Sequence, residues 1–195
     1  PVLQHTINAF ISSSSIDEVI LVCPQERFDK LDLIENGTRI ARVDGGADRH
    51  NSVSNGLAEV DTNSDWIAVH DGARPLISDQ QIAATLAAAK EHKAATSARR
   101  ITETVKRASS DNFINQAVDR ENLWLMETPQ IFSKQLLLDA YKKVEENDSL
   151  VTDEVSALEL LGVQTYLVTN ATPNLKITFP EDLALAEILL THASQ

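Results

Sequence analysis

Short apolar runs alternate with amphipathic helical patterns along the first ninety residues, and this alternation most constrains the fold. Leu3, Ile7, Phe10 and Ile11 recur at helical spacing, which predicts a helix near residues 2–13. Residues 18–23 follow as a strand, apolar along most of its length as central parallel strands are. The same reading predicts a helix over 27–33, a strand over 38–43, a helix over 51–60 and a strand over 65–69. Ser78 then caps a helix running to about residue 92, with Gln81 at the capping-box position. Such alternation implies α/β architecture: a mostly parallel sheet with helices on both faces, a three-layer sandwich.

The rhythm breaks at Ala94. Residues 97–107 alternate in character, and 113–118 can pair back on them across Ser109-Ser110-Asp111-Asn112. This predicts a protruding β-arm over about 97–125. An isolated hairpin is marginal in water, so a partner surface, a second subunit, is expected to support it. Helices over 133–147 and 153–161, strands over 163–168 and 175–178, and a helix over 179–191 complete the chain. Thr178-Phe179-Pro180-Glu181 reads as a capping box with proline in the first turn. The expectation is one domain, 1–195, with an arm.

Charge excludes some partners. With 29 acidic against 17 basic residues the formal charge is −12, and no basic stripe marks a nucleic-acid surface. An anionic ligand would therefore need cations gathered locally. The single cysteine, Cys23, lies in an apolar run and reads as a buried strand residue; alone, it excludes an internal disulfide. No apolar stretch approaches a membrane span and no signal peptide is evident, so a cytoplasmic location is the expectation.

Candidate chemistry gathers at strand ends, where open α/β sheets bind ligands. The strand ending at Val69 runs into His70-Asp71-Gly72-Ala73-Arg74-Pro75. Asp71 offers hard oxygen to a divalent ion, Arg74 offers a fork to a phosphate, and Gly72 permits close backbone approach. The bland reading is a turn in which Asp71 pairs with Arg74, with His70 as a packed strand-end residue. Asp44-Gly45-Gly46-Ala47-Asp48-Arg49, followed by Asn51-Ser52, could present backbone N–H groups to a ligand, or could be a tight turn using glycine for positive φ. Thr104, Lys106 and Arg120 could bind a phosphate together or form a solvated hairpin face. Thr152 reads as a helix N-cap before Asp153-Glu154. Lys176, inside a short predicted strand, must snorkel or meet an anion.

Taken together, Val69 to Pro75, Thr104-Val105-Lys106-Arg107, Glu127-Thr128-Pro129-Gln130, Thr152-Asp153-Glu154-Val155-Ser156-Ala157 and the run from Asn174 to Asp182 occur in a distinctive order. The set closely resembles the 2-C-methyl-D-erythritol 4-phosphate cytidylyltransferases of the non-mevalonate isoprenoid pathway, across essentially the whole chain. The resemblance implies a Rossmann-like nucleotidyltransferase fold with a dimerising β-arm, and a reaction joining CTP to methylerythritol phosphate with Mg²⁺ and release of pyrophosphate. It places Asp71 as metal ligand and catalytic residue, with Arg74 in the same loop at the nucleotide. Gly45, Gly46 and Ser52 fall around the cytidine. Thr104 and Arg120 would reach the sugar phosphate bound by a neighbouring subunit, Thr128 and Thr152 are substrate-side, and Lys176 is catalytic beside the reacting phosphates. In-line attack of this kind needs positioning and charge neutralisation more than a covalent nucleophile.

Two departures accompany the resemblance. The family opens with a strand and a glycine-rich loop that wraps the CTP phosphates, whereas this sequence begins about where that segment ends. The expectation is an N-terminally truncated form of low activity, with backbone groups beside the absent strand unpaired. Pro173 also stands before Asn174, where an acidic second metal ligand is often found, so metal binding would rest on Asp71. Alternatives are a ribitol 5-phosphate cytidylyltransferase and a non-catalytic nucleotide-binding module.

Overall fold

The computed structural model describes residues 1–34 and 37–193; residues 35–36 and 194–195 of the predicted 1–195 domain lie outside the described residues. Helix α1 (Val2–Ile11) buries Ile7, Phe10 and Ile11, the stripe its spacing predicted. Strand β1 (Glu18–Val22), helix α2 (Gln25–Phe28) and strand β2 (Arg39–Val43) follow, and β1 and β2 pair in parallel. Helix α3 (Arg49–Ala58) leads to strand β3 (Trp66–Val69), and helix α4 (Asp79–His92) leads to strand β4 (Ala94–Arg100). Helix α2 starts two residues before its predicted position and stops at Phe28, because Pro24 provides its entry and Asp29 its end.

The second sheet has four strands in the order β3-β7-β4-β8, with β7 at Trp124–Ser133 and β8 at Tyr166–Thr169. Strand β7 is antiparallel to both β3 and β4, while β8 is parallel to β4. Three strands therefore share one direction and β7 alone opposes them. Nothing in the sequence reading anticipated β7. Its centre, Glu127-Thr128-Pro129-Gln130, is polar and carries a proline, a pattern that argues against a central strand. The pairing with β4 shifts register between Thr96 and Ala98, and this irregularity lies opposite the prolyl segment.

The arm is correspondingly shorter than predicted. Residues 94–100 belong to the sheet, with Ala94, Ala95, Thr96, Ser97 and Ala98 fully buried. The excursion consists of strands β5 (Val105–Ala108) and β6 (Ile114–Val118), antiparallel and largely exposed on both faces. Helices α5 (Lys134–Glu146) and α6 (Glu154–Glu159) pack over the sheet, where Phe132, Leu137, Ala140, Tyr141 and Leu158 form the main core. Helix α7 (Pro180–Ala193) closes the chain.

Several caps differ from expectation. The Ser78 side chain accepts from Gln81 N at 3.2 Å, but the Gln81 amide turns inward to Ser97 Oγ at 3.0 Å instead of closing the box. Asp153, rather than Thr152, caps α6 by accepting from Ser156 N. Asp182 accepts from the Thr178 and Phe179 N–H groups ahead of α7, the role assigned to Glu181. Residues 175–178 form no strand; one backbone bond, Ile177 N to Ala73 O at 2.8 Å, fastens them beside the Asp71 loop.

The two sheets do not join. Between the free edges of β1 and β3 lies an open cavity of about 940 Å³, lined by α1, β1, α3 and β3. At its amino end Glu18 accepts from the Asp61 N–H at 3.0 Å. At its carboxyl end lie Arg49, Ser52 and Asp71.

Candidate active site

Asp71 begins the loop that leaves β3, and three cations converge on its carboxylate. Lys176 Nζ lies 3.0 Å from Oδ2, Arg74 Nε 3.4 Å from Oδ2, and Arg49 Nη2 3.5 Å from Oδ1. Burial acts to raise the Asp71 carboxyl, but the hydrogen bond and charge of Lys176, with Arg49 and Arg74, outweigh it and hold it below the usual carboxylate range. The sequence turns sharply here: Arg74 N bonds Asp71 O at 3.0 Å, and Thr6 Oγ1 donates to Gly72 O at 2.9 Å.

Thr128 and His70 fix this loop from below. Thr128 Oγ1 accepts from the Asp71 N–H at 3.1 Å and lies 3.0 Å from His70 Nδ1, while His70 Nε2 lies 3.1 Å from Arg74 O. Because a carbonyl can only accept, His70 carries its proton on Nε2, and Thr128 donates to Nδ1. Burial drives the His70 pKa down to about 4, so the ring is neutral, packed against Phe10 at 4.8 Å between centroids. His70 is thus the packed strand-end residue expected. The Thr128 hydroxyl, donating to His70 and accepting from the Asp71 N–H, holds Asp71 in position.

The Gly45-Gly46 loop after β2 lies on the other side of Arg49. Ser52 Oγ accepts from Gly46 N at 3.0 Å and donates to Asp48 O at 3.1 Å. Neither glycine has positive φ, so the tight-turn alternative falls away. Gly46 is required by close approach: a Cβ there would stand 2.3 Å from Asn51 Cβ. Helix α3 therefore begins two residues earlier than predicted, at Arg49, with Asp48 and Asn51 closing its capping box.

The sequence reading missed the group that ties these parts together. Glu154, fully buried, receives both arms of the Arg49 guanidinium, at 2.7 and 3.0 Å. Tyr141 OH donates to the same carboxylate at 3.0 Å, and Gln130 Oε1 accepts the Glu154 N–H at 3.1 Å. Burial would strip the Arg49 proton, but the Glu154 contact overrides it and raises the pKa above its ordinary value. Burial, followed by the neighbouring Glu154 charge, likewise raises the Tyr141 hydroxyl. Both Arg49 and Glu154 sat inside quoted motifs; their pairing across 105 positions was invisible in one sequence.

Asp71, Arg74, Thr128 and Lys176 are thus brought into one cluster, with Gly45, Gly46 and Ser52 joined to it through Arg49. Thr152 is exposed beside the Asp153 cap. Thr104 and Arg120 lie on the exposed arm, where Arg120 bonds Thr102 O. Among the described residues no group of three or more His, Cys, Asp or Glu side chains could by itself hold a metal. One carboxylate with a nucleotide's phosphate oxygens nevertheless suits Mg²⁺, which keeps few protein ligands at phosphate sites.

A Rossmann-like α/β sheet with a carboxylate, two arginines and a lysine gathered at the end of β3 is consistent with the nucleotidyltransferase class, and the comparisons with known proteins establish it. The family model of 2-C-methyl-D-erythritol 4-phosphate cytidylyltransferase (IspD) matches residues 1–192. Curated enzymes of that name from Pelotomaculum thermopropionicum and Caldanaerobacter subterraneus are each 38% identical over 97% of this chain, covering 82% and 86% of those proteins. The crystal structure of the Francisella tularensis enzyme superposes with a TM-score of 0.85 at 32% identity, covering 96% of this chain and 87% of that one. The chain belongs to the 2-C-methyl-D-erythritol 4-phosphate cytidylyltransferase family. No described helix is long and apolar enough to cross a membrane.

Proposed function

We propose that this chain transfers the cytidylyl group of CTP to the phosphate of 2-C-methyl-D-erythritol 4-phosphate, releasing pyrophosphate, in the non-mevalonate route to isoprenoid precursors. The observation that carries this reading is the Asp71 carboxylate held among Arg49, Arg74 and Lys176 at the end of β3. Three cations against Asp71 and Glu154 leave local positive charge in a chain whose formal charge is −12, which favours an anionic ligand. Lys176, half-exposed on a flexible stem, can turn from Asp71 to a phosphate oxygen, where it would offset charge as the new bond to the α-phosphorus forms. Asp71 would hold Mg²⁺ jointly with the nucleotide phosphates, and the ion supplies charge neutralisation there. Pro173 offers no carboxylate beside Asn174, so Asp71 carries that role.

The loop at Gly45, Gly46 and Ser52 is the seat proposed for the cytidine, and Thr152 faces the acceptor side. Thr104 and Arg120 would serve the site of a second copy, in a homodimer formed through the arm, whose tip exposes Phe113 and Ile114. The test is product formation. Incubation with CTP, Mg²⁺ and methylerythritol phosphate should give the cytidine diphosphate alcohol and pyrophosphate by phosphorus NMR, with ribitol 5-phosphate a poor acceptor. Asp71→Asn should abolish product. CTP binding without product would instead support the nucleotide-binding module, and preference for ribitol 5-phosphate the sister enzyme.

A further inference from the structure

Both arginines beside Asp71 are committed elsewhere. Arg49 places its fork on Glu154, at 2.7 and 3.0 Å, and only grazes Asp71 at 3.5 Å. Arg74 donates to Asn174 O at 2.7 Å and Met126 O at 3.4 Å, and approaches Asp71 at 3.4 Å. Only Lys176, at 3.0 Å, is a close partner of that carboxylate. The distinction matters because a guanidinium fork engages both oxygens of a carboxylate in a fixed geometry, whereas an ammonium is a point charge on a flexible stem that exchanges readily.

Glu154 is positioned for the task. It is fully buried, its carboxylate is oriented by the Tyr141 hydroxyl, and its backbone N–H is held by Gln130. Arg49 Nη2 is shared between Glu154 Oε2 and Asp71 Oδ1, and the 0.5 Å difference in distance favours Glu154.

We infer that Glu154 is a positioning residue whose carboxylate tethers Arg49 away from Asp71, keeping Asp71 free to exchange Lys176 for a divalent cation carried by the nucleotide. This rests on the reading of Asp71 as the seat of that cation. Loss of the Glu154 charge would release Arg49 to fork onto Asp71 and block the exchange. Removing the Arg49 charge as well would lift the block.

The test compares binding of CTP in EDTA with binding of Mn²⁺·CTP, the latter followed by water-proton relaxation, in the full chain. For the unsubstituted protein Mn²⁺ should strengthen binding. In Glu154→Gln this metal-dependent gain should fall about tenfold or more, as changes behind a metal ligand do, while affinity for metal-free CTP does not fall. In the Arg49→Met/Glu154→Gln double variant the gain should return to within about threefold of the original, consistent with a removed competitor. The inference is overturned if Glu154→Gln keeps the gain, if it weakens metal-free CTP equally, or if the folded double variant does not recover it. Should Glu154→Gln fail to fold, as judged by circular dichroism, Glu154→Asp, which withdraws the carboxylate from the Arg49 fork by one methylene, takes its place under the same criteria. Absence of any metal-dependent gain in the unsubstituted protein would overturn the seat at Asp71 and this inference with it, an outcome distinct from failure at Glu154 alone.

Discussion

Lys176 Nζ lies 3.0 Å from Asp71 Oδ2, across 105 residues of sequence, and is the closest cation to the carboxylate at the end of β3. Its segment has no sheet partner; the Ile177 N to Ala73 O bond and the Arg74 contact to Asn174 O hold it in place. Lys176→Met should therefore leave the fold intact and lower kcat for product formation by about 100- to 1,000-fold, the cost of losing one donor to developing charge. KM for CTP should change far less. Steady-state pyrophosphate release measures both, and an equal loss in KM alone would assign Lys176 to ground-state binding.

Gly46→Ala tests the other wall. The added Cβ would stand 2.3 Å from Asn51 Cβ and 2.9 Å from the Asn51 carbonyl carbon, so the loop or the start of α3 must move. A destabilisation of about 1–3 kcal/mol is expected, as for overpacked sites, together with weaker CTP binding. Urea unfolding and calorimetric titration with CTP check the two effects separately.

How far the sequence revealed these features depended on the range of the interaction. The Asp71 loop was readable because an apolar strand runs directly into acid, glycine and arginine, a local pattern. The core strands β1, β2 and β3 were readable for the same reason. Strand β7 was hidden by Pro129 and its polar neighbours, which are tolerated because β4 shifts register opposite them and because Gln130 and Glu127 find hydrogen-bond partners in Asp153 and Asn170. The Glu154 tether was hidden because an acidic residue at a helix start has a sufficient local explanation. Its pairing with Arg49 exists only once α3, α5 and α6 are packed.

The buried His70 makes stability depend on pH. Its folded pKa is about 4 against an ordinary 6.5, so the unfolded chain binds the extra proton over that interval. Its contribution is complete above about pH 6.5 and is lost as pH falls towards 4, by about 3 kcal/mol in all. Urea unfolding at pH 7.5, 5.5 and 4.5 should show this loss, and His70→Gln should be less sensitive over the same range. Parallel pH profiles for the two proteins would show that His70 is not the group responsible.

The arm exposes Phe113, in the turn before β6, and Ile114, at the start of β6, 74% and 69% accessible, and neither of its strands has a buried position. Replacing them with Ser and Thr should cost the isolated fold little, within about 0.5 kcal/mol as for other surface changes. If the arm joins two copies, sedimentation velocity should show a dimer for the original protein and a shift towards monomer for the variant. Identical sedimentation would remove the arm from the interface.

The free edges beside the cavity give the most local prediction. In the parallel pairing of β1 with β2, the Arg39 N to Asp17 O and Cys23 N to Val43 O bonds set the alternation, so Val19 and Leu21 face β2 while Ile20 faces the cavity. On β3, the Lys134 N to Asp65 O bond sets the same alternation, so Ile67 and Val69 face β7 while Ala68 faces the cavity. Backbone groups in mid-strand are ordinarily paired on both sides, and here one set has no strand partner. Amide exchange followed by NMR should find Ile20 and Ala68 exchanging about 100-fold faster than Leu21 and Ile67, although all four occupy the centres of their strands. Equal protection at the four amides would mean that the two edges close on one another in solution and that the cavity between β1 and β3 does not persist.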